Sequence, residues 1–103
     1  MDKKIVVARL AALAQESRLE MFRALVQAGK NGLTAGAISE QTQTAPNSVS
    51  FHMKELVHAG LVSSRQTGRY VIYTAEYGNM NELLAYLTEN CCSGDACDLN
   101  CAC

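Results

Sequence analysis

Cysteine is the most reactive side chain in this sequence, and all five copies (Cys91, Cys92, Cys97, Cys101 and Cys103) fall within the last 13 residues. The start, Met1-Asp2-Lys3-Lys4-Ile5-Val6-Val7-Ala8-Arg9, returns to charge too soon to hold a secretory signal core, so we expect a cytoplasmic protein. In a reducing compartment such a cluster points to metal or redox chemistry rather than to a disulfide framework. No C-x2-C pair occurs in it, which counts against a closed zinc site. Three chemistries stay open on the residues alone. One is zinc held by Cys91 or Cys92 with Cys97, Cys101 and Cys103. Another is a soft divalent ion such as Cd(II) or Pb(II), and the last is a redox switch built on the adjacent pair Cys91-Cys92 or on disulfides within the tail.

Catalytic constellations are missing. No glycine-rich loop is spaced to cradle a phosphate, and no His lies within ten residues of the tail thiols to act as their base. We therefore expect no enzyme and no organic cofactor. A second set of residues could instead read double-stranded DNA. Asn47, Ser48, Ser50, Phe51 and His52 cluster toward the start of a helix expected over 46–59, with Lys54 one turn on. Short polar side chains there can approach base edges in the major groove, and the free amides of a helix N-terminus attract phosphate. Arg65, Gln66, Thr67 and Arg69 surround an expected hairpin tip at Gln66-Thr67-Gly68 and could reach the backbone or the minor groove.

Net charge, at −1, gives no support to a nucleic-acid partner until it is divided along the chain. Residues 1–40 hold six Lys or Arg against four Asp or Glu, and residues 41–75 hold three against one. Residues 76–103 hold none against five, Glu76, Glu82, Glu89, Asp95 and Asp98. The acidity belongs to the C-terminal end, away from the candidate reading residues. With 103 residues the chain is one domain long, and no window approaches the roughly 18 apolar residues of a membrane span.

The elements that must position these residues follow from periodicity and punctuation. Residues 3–15 are apolar around the whole helical circumference, which predicts a helix buried or shared with a partner. Ser17-Arg18-Leu19-Glu20 fits a capping box opening a second helix with Leu19, Phe22, Leu25 and Val26 on one face and Gly29 at its C-terminus. Lys30-Asn31-Gly32 is a loop, and Thr34 caps a short helix over 35–42 burying Ala37 and Ile38. Thr42–Pro46 is a turn that places Pro46 at the first position of the next helix, whose core side is Val49, Met53, Leu56 and Val57. Runs of β-formers at 61–65 and 69–74 make a hairpin. A last helix over 79–90 carries Met80, Leu83, Leu84 and Leu87 on one side. The order α-α-α-α-β-β-α is mainly helical with one small hairpin, that of a winged helix-turn-helix.

The stretch Ser48-Val49-Ser50-Phe51-His52-Met53-Lys54-Glu55-Leu56, followed by Ala59-Gly60-Leu61-Val62, resembles the recognition helix of the ArsR/SmtB family of metal-sensing repressors. Gly68-Arg69-Tyr70-Val71-Ile72-Tyr73 looks like the family's wing, and Leu13-Ala14-Gln15-Glu16-Ser17-Arg18-Leu19 like the entry to its second helix. The resemblance implies a homodimer joined through its first and last helices. It also implies repression by binding an imperfect palindrome in operator DNA, with release when an inducer binds.

Members of the family place their sensor sites differently. The Cys-Val-Cys of one arsenic-sensing group is absent at 35–41, and the Asp/His pairs of the zinc sensors are absent from 79–90. Cys91-Cys92-x4-Cys97 resembles the site of an arsenite-responsive subgroup. As(III) takes three sulfurs in a trigonal pyramid, and exchanging three As–OH for three As–S bonds releases water with no net loss of protons. Zinc must displace thiol protons, which the nearby Asp95 and Asp98 discourage. Sb(III) fits the same geometry, and Cys101 or Cys103 could replace Cys97 as third ligand. The resemblance thus divides the chain into a DNA-binding and dimerisation domain, 1–90, and a Cys-rich metalloid-binding tail, 91–103. The alternative of another class is a thiol metal chaperone or scavenger on the same scaffold.

Overall fold

The computed structural model describes residues 1–91. Its elements are helices α1 (Lys3–Leu13) and α2 (Glu16–Ala28), strand β1 (Leu33–Thr34), helices α3 (Ala35–Thr42) and α4 (Pro46–His58), strands β2 (Val62–Thr67) and β3 (Tyr70–Ala75), and helix α5 (Tyr77–Leu87). A single 3-10 turn, Gly29–Asn31, follows α2. No helix among the described residues is long and apolar enough to cross a membrane.

Helix ends follow local chemistry. The Asp2 carboxylate accepts the Lys4 amide at 3.0 Å to open α1. The capping box expected at Ser17 does not form. Gln15 caps α2 instead, its side-chain oxygen accepting the Arg18 amide at 2.8 Å, so Ser17 already lies inside the helix. Arg18 then donates from Nε to the Ala12 carbonyl at 2.8 Å and fastens the bend between α1 and α2. Thr34 caps α3 as expected, with Oγ1 accepting the Ala37 amide at 3.1 Å. Pro46 stands in the first turn of α4, where a missing N–H costs nothing.

Three expectations of layout are corrected. Leu33-Thr34 adds a strand to the two expected: it pairs antiparallel with β3 through Leu33↔Tyr73 and Thr34↔Ile72, making a three-stranded sheet in the order β1-β3-β2. The hairpin tip is Gly68-Arg69 rather than Gln66-Thr67-Gly68, because Thr67 pairs with Tyr70. Gly68, at φ 60°, has the positive φ that a type II′ turn requires at its first central position. The last helix begins at Tyr77 rather than 79 and ends at Leu87 rather than 90.

The core gathers one side of each helix above the sheet. Met21, Leu25, Ile38, Val49, Met53, Leu56 and Leu61 are fully buried, each such side chain contributing about 1.5–3 kcal/mol of transfer free energy. Val57, expected at core spacing, is exposed, and so is Leu19 on the apolar face of α2, where Met21 is fully buried; Leu84 and Leu87 leave the apolar side of α5 exposed. Ile5, Val7 and Leu10 leave an apolar side of α1 exposed as well. The all-round apolar character of this helix therefore remains uncovered in one copy of the chain.

Candidate nucleic-acid interface

The turn between α3 and α4 sets how the second helix is presented. Gln43 adopts the left-handed conformation (φ 52°, ψ 47°), and the Thr44 amide donates back to the Ser39 carbonyl at 3.1 Å. The Ser39 hydroxyl donates to the Thr44 carbonyl, and the Thr42 hydroxyl donates to the Ile38 carbonyl at 2.7 Å. Four polar residues thus spend their side chains or amides on the turn, which has no glycine to make it. The other end of α4 closes in a Schellman motif. The Leu61 amide donates to the Leu56 carbonyl and the Gly60 amide to the Val57 carbonyl, both at 3.0 Å, with Gly60 at φ 82°. Leu56 and Leu61 supply the buried apolar pair that accompanies it.

Between these fixed ends α4 is two-faced. Val49, Met53 and Leu56 fill the core, whereas Asn47, Ser50, Phe51 and Lys54 are exposed and Ser48 is half-buried. Phe51 is 58% exposed, so its ring is open to solvent beside Ser50 and Lys54. His52 is half-buried. Its Nδ1 is out of contact with solvent and has no hydrogen-bond partner among the described residues. Its ring stands edge-on to Phe51, centroids 5.6 Å apart. Burial, and after it the guanidinium of Arg18, push the imidazole pKa below 6.5, with Glu55 opposing them. At neutral pH His52 is therefore an uncharged hydrogen-bonding group, not a cation.

The wing returns to the helix. Ser50 of α4 and Arg69 of the hairpin turn line one cleft of about 330 Å³, together with Thr34, Ala35 and Gly36 at the start of α3. Arg65 is engaged elsewhere: its guanidinium donates to the Asn31 carbonyl at 3.4 Å while remaining exposed. Thr67 and Arg69 are exposed at the hairpin end. Of the sequence-derived residues, Ser50 of α4 and Arg69 of the wing tip thus share this cleft, and Arg65 does not line it. The α3 end of the cleft was missed, because nothing in Thr34-Ala35-Gly36 is charged or aromatic.

Of the candidate thiols only Cys91 lies within the described residues; Cys92 and Cys97, with Cys101 and Cys103, lie outside them. Cys91 follows α5 by four residues, half-buried, with its amide donating to the Thr88 carbonyl at 3.1 Å. Asn90 before it has a positive φ of 56°. Among the described residues no group of three metal-ligating side chains comes together.

A helix-turn-helix domain model matches residues 13–65. The chain is 30% identical over 95 residues to the arsenical resistance operon repressor of Bacillus subtilis (strain 168), spanning 86% of its own length and 87% of that protein's. Among solved structures it is similar to an ArsR-like transcriptional regulator from Rhodococcus sp. RHA1. The TM-score is 0.72 at 25% identity, over 82% of this chain and 76% of that one. It is similar also to a homodimeric winged helix-turn-helix DNA-binding domain from Mycobacterium bovis, described as a possible ArsR-family transcriptional regulator. There the TM-score is 0.69 at 25% identity, over 82% and 76% of the two chains.

Proposed function

Since the chain belongs to the ArsR family of winged helix-turn-helix transcriptional regulators, we propose that it is a homodimeric repressor released from operator DNA by As(III), or by Sb(III). Its relatives are DNA-binding regulators rather than enzymes, and so is this chain. The observation that supports the DNA-reading assignment is the cleft shared by Ser50, on the exposed side of α4, and Arg69, at the wing tip. In this reading Asn47, Ser48, Ser50, Phe51 and His52 face base edges, and Lys54, Arg65, Thr67 and Arg69 hold phosphates.

Dimerisation is supported by the exposed apolar side chains of α1 (Ile5, Val7, Leu10) and α5 (Leu84, Leu87), and by the homodimeric M. bovis neighbour. A two-fold dimer sets two α4 helices about 34 Å apart, one turn of DNA. Residues 1–90 form the reading and dimerisation domain, and 91–103 the sensor. Cys91, Cys92 and Cys97 supply the three soft donors that As(III) takes, an assignment supported by their residue types and spacing and by the arsenical resistance relative. Binding at these thiols, next to the end of α5, shifts the dimer away from its operator-binding geometry. Such couplings are typically worth about 1–3 kcal/mol.

The test is a titration of the protein on its own upstream DNA, with and without arsenite, repeated with the Cys91→Ser/Cys92→Ser double variant. The double variant should bind the operator as the unaltered chain does but stay bound when arsenite is added. Full release of the double variant would refute the sensor site. Release by Cd(II), Pb(II) or Zn(II) but not by As(III) would reassign the inducer. Thiol-dependent metal binding with no operator affinity would make the chain a metal chaperone.

A further inference from the structure

Arg9 is the buried charged residue of the described chain, 8% exposed, and it is held by carbonyls rather than by a carboxylate. Its Nε donates to the Ala59 carbonyl and its Nη1 to the Asn79 carbonyl, both at 3.3 Å. The nearest acid, Glu82, stands 4.0 Å away and is 60% exposed, so solvent screens most of that attraction. Ala59 is the C-cap of α4, and the carbonyl end of a helix carries partial negative charge that favours a cation. Beside it, the Asn79 side chain donates from Nδ2 to the Gly60 carbonyl at 2.8 Å. Two carbonyls at the end of α4, those of Ala59 and Gly60, are thus taken by α1, through Arg9, and by α5, through Asn79.

We propose that Arg9 is a positioning residue for DNA recognition, fixing the direction of α4 relative to the two helices that carry the exposed apolar surface. The proposal rests on the operator-binding dimer argued above. Burying a guanidinium without a paired carboxylate is costly, and an apolar side chain of similar volume would serve stability as well or better. What an apolar side chain cannot do is bond two carbonyls on separate elements at once, which the planar fork of arginine does. Leverage makes this matter. The 13 residues of α4 span about 20 Å, so a tilt of about 5° at the Ala59 end moves the Asn47 end by almost 2 Å. A hydrogen bond to a base edge does not survive such a displacement. Arg9 touches no DNA in this arrangement; it acts through Ala59 and Asn79.

The experiment compares the full chain with Arg9→Met and Arg9→Lys by anisotropy titration on three duplexes: the upstream operator, the same operator with one base pair inserted between half-sites, and unrelated DNA. Thermal melting and the oligomeric state are followed in parallel. Arg9→Met keeps the packing of the stem and loses both hydrogen bonds. It should lose about tenfold in operator affinity, a size usual for residues that couple to a site from outside it. Affinity for unrelated DNA should stay within about twofold, and the preference for natural over expanded spacing should shrink by a similar tenfold. Arg9→Lys, which can reach one carbonyl, should fall between, and it carries the test if Arg9→Met does not fold. Unchanged operator affinity in the variants, or an equal loss on all three duplexes with spacing preference intact, overturns the proposal. An unaltered chain that shows no operator preference overturns the functional reading beneath it, and this proposal with it.

Discussion

Ser50, one turn into α4, and Arg69, in the two-residue turn of the wing, line the same cleft of about 330 Å³ although 19 positions separate them in sequence. The two should report different things about the same DNA. Arg69→Ala removes a phosphate-directed charge, so binding should weaken on every sequence and the slope of log K against log salt should fall by about one. Ser50→Ala should leave the slope unchanged and cost about 1 kcal/mol at one base position only. Anisotropy titrations across a salt series, on the operator and its single-base variants, separate these. An unchanged slope in Arg69→Ala would remove the wing tip from the interface.

His52 gives a pH prediction whose sign follows from its burial. With the folded pKa below 6.5, the unfolded chain binds the proton first as pH falls. Stability contributed by the neutral imidazole is therefore complete above pH 6.5. It declines as pH drops from there toward the folded pKa, and levels off beneath it. Urea denaturation of the unaltered chain and of His52→Gln at pH 7.5 and 5.5 checks this. The unaltered chain should lose more stability over that interval than His52→Gln, which cannot titrate. Equal losses would mean that the buried Nδ1 carries no penalty for protonation.

The contrast between Thr34 and Ser17 shows what was legible in sequence. Both carry a hydroxyl and both are expected as caps, yet only Thr34 precedes its helix and caps it; Ser17 lies inside α2, whose cap is the side chain of Gln15 on the Arg18 amide. A local signal names a cap, but competition among neighbours within three residues chooses it. The core side of α4 was readable because Val49, Met53 and Leu56 repeat at helical spacing and pack on other elements of the same chain. Leu84 and Leu87 repeat just as well and are exposed, since periodicity reveals an apolar side without saying whether the same chain covers it. Strand β1 could not be read at all. Two residues have no period, and Leu33-Thr34 becomes a strand only because β3 arrives alongside from 40 positions away. Arg9 escaped notice for the same reason: its partners, Ala59 and Asn79, are brought to it by the fold.

The start of α5 is tied to α2 by one hydroxyl. Tyr77 Oη donates toward the Val26 carbonyl at 3.0 Å, with the Leu25 carbonyl at 3.3 Å, and these lie near the C-terminal end of α2, where carbonyls lack helical partners. Tyr77→Phe keeps the ring and deletes the donor, so it should lower unfolding free energy by about 1 kcal/mol. A chemical denaturation midpoint measures it. No change would show that water replaces the hydroxyl at that helix end.

Gly29 and Gly32 offer a matched pair. Gly29 stands at φ 78°, ψ −160° and Gly32 at φ 72°, ψ −168°, a region of backbone space open essentially to glycine alone. The backbone penalty for alanine should be similar at the two sites, about 1–3 kcal/mol. Their surroundings differ. A Cβ on Gly29 meets nothing within 4 Å, whereas a Cβ on Gly32 runs into the Tyr73 carbonyl oxygen and the Cγ2 atoms of Ile72 and Thr74. These are backbone and β-branched atoms of β3 that cannot swing aside without parting β1 from the sheet. Gly32→Ala should therefore destabilise by about 1–3 kcal/mol more than Gly29→Ala, the usual range for overpacking. Because β1 leads directly into α3 and the cleft at Thr34, Gly32→Ala should also weaken operator binding in conditions where both variants remain folded. Equal denaturation midpoints for the two alanine variants would mean that β1 does not press on β3 as closely as Gly32 indicates.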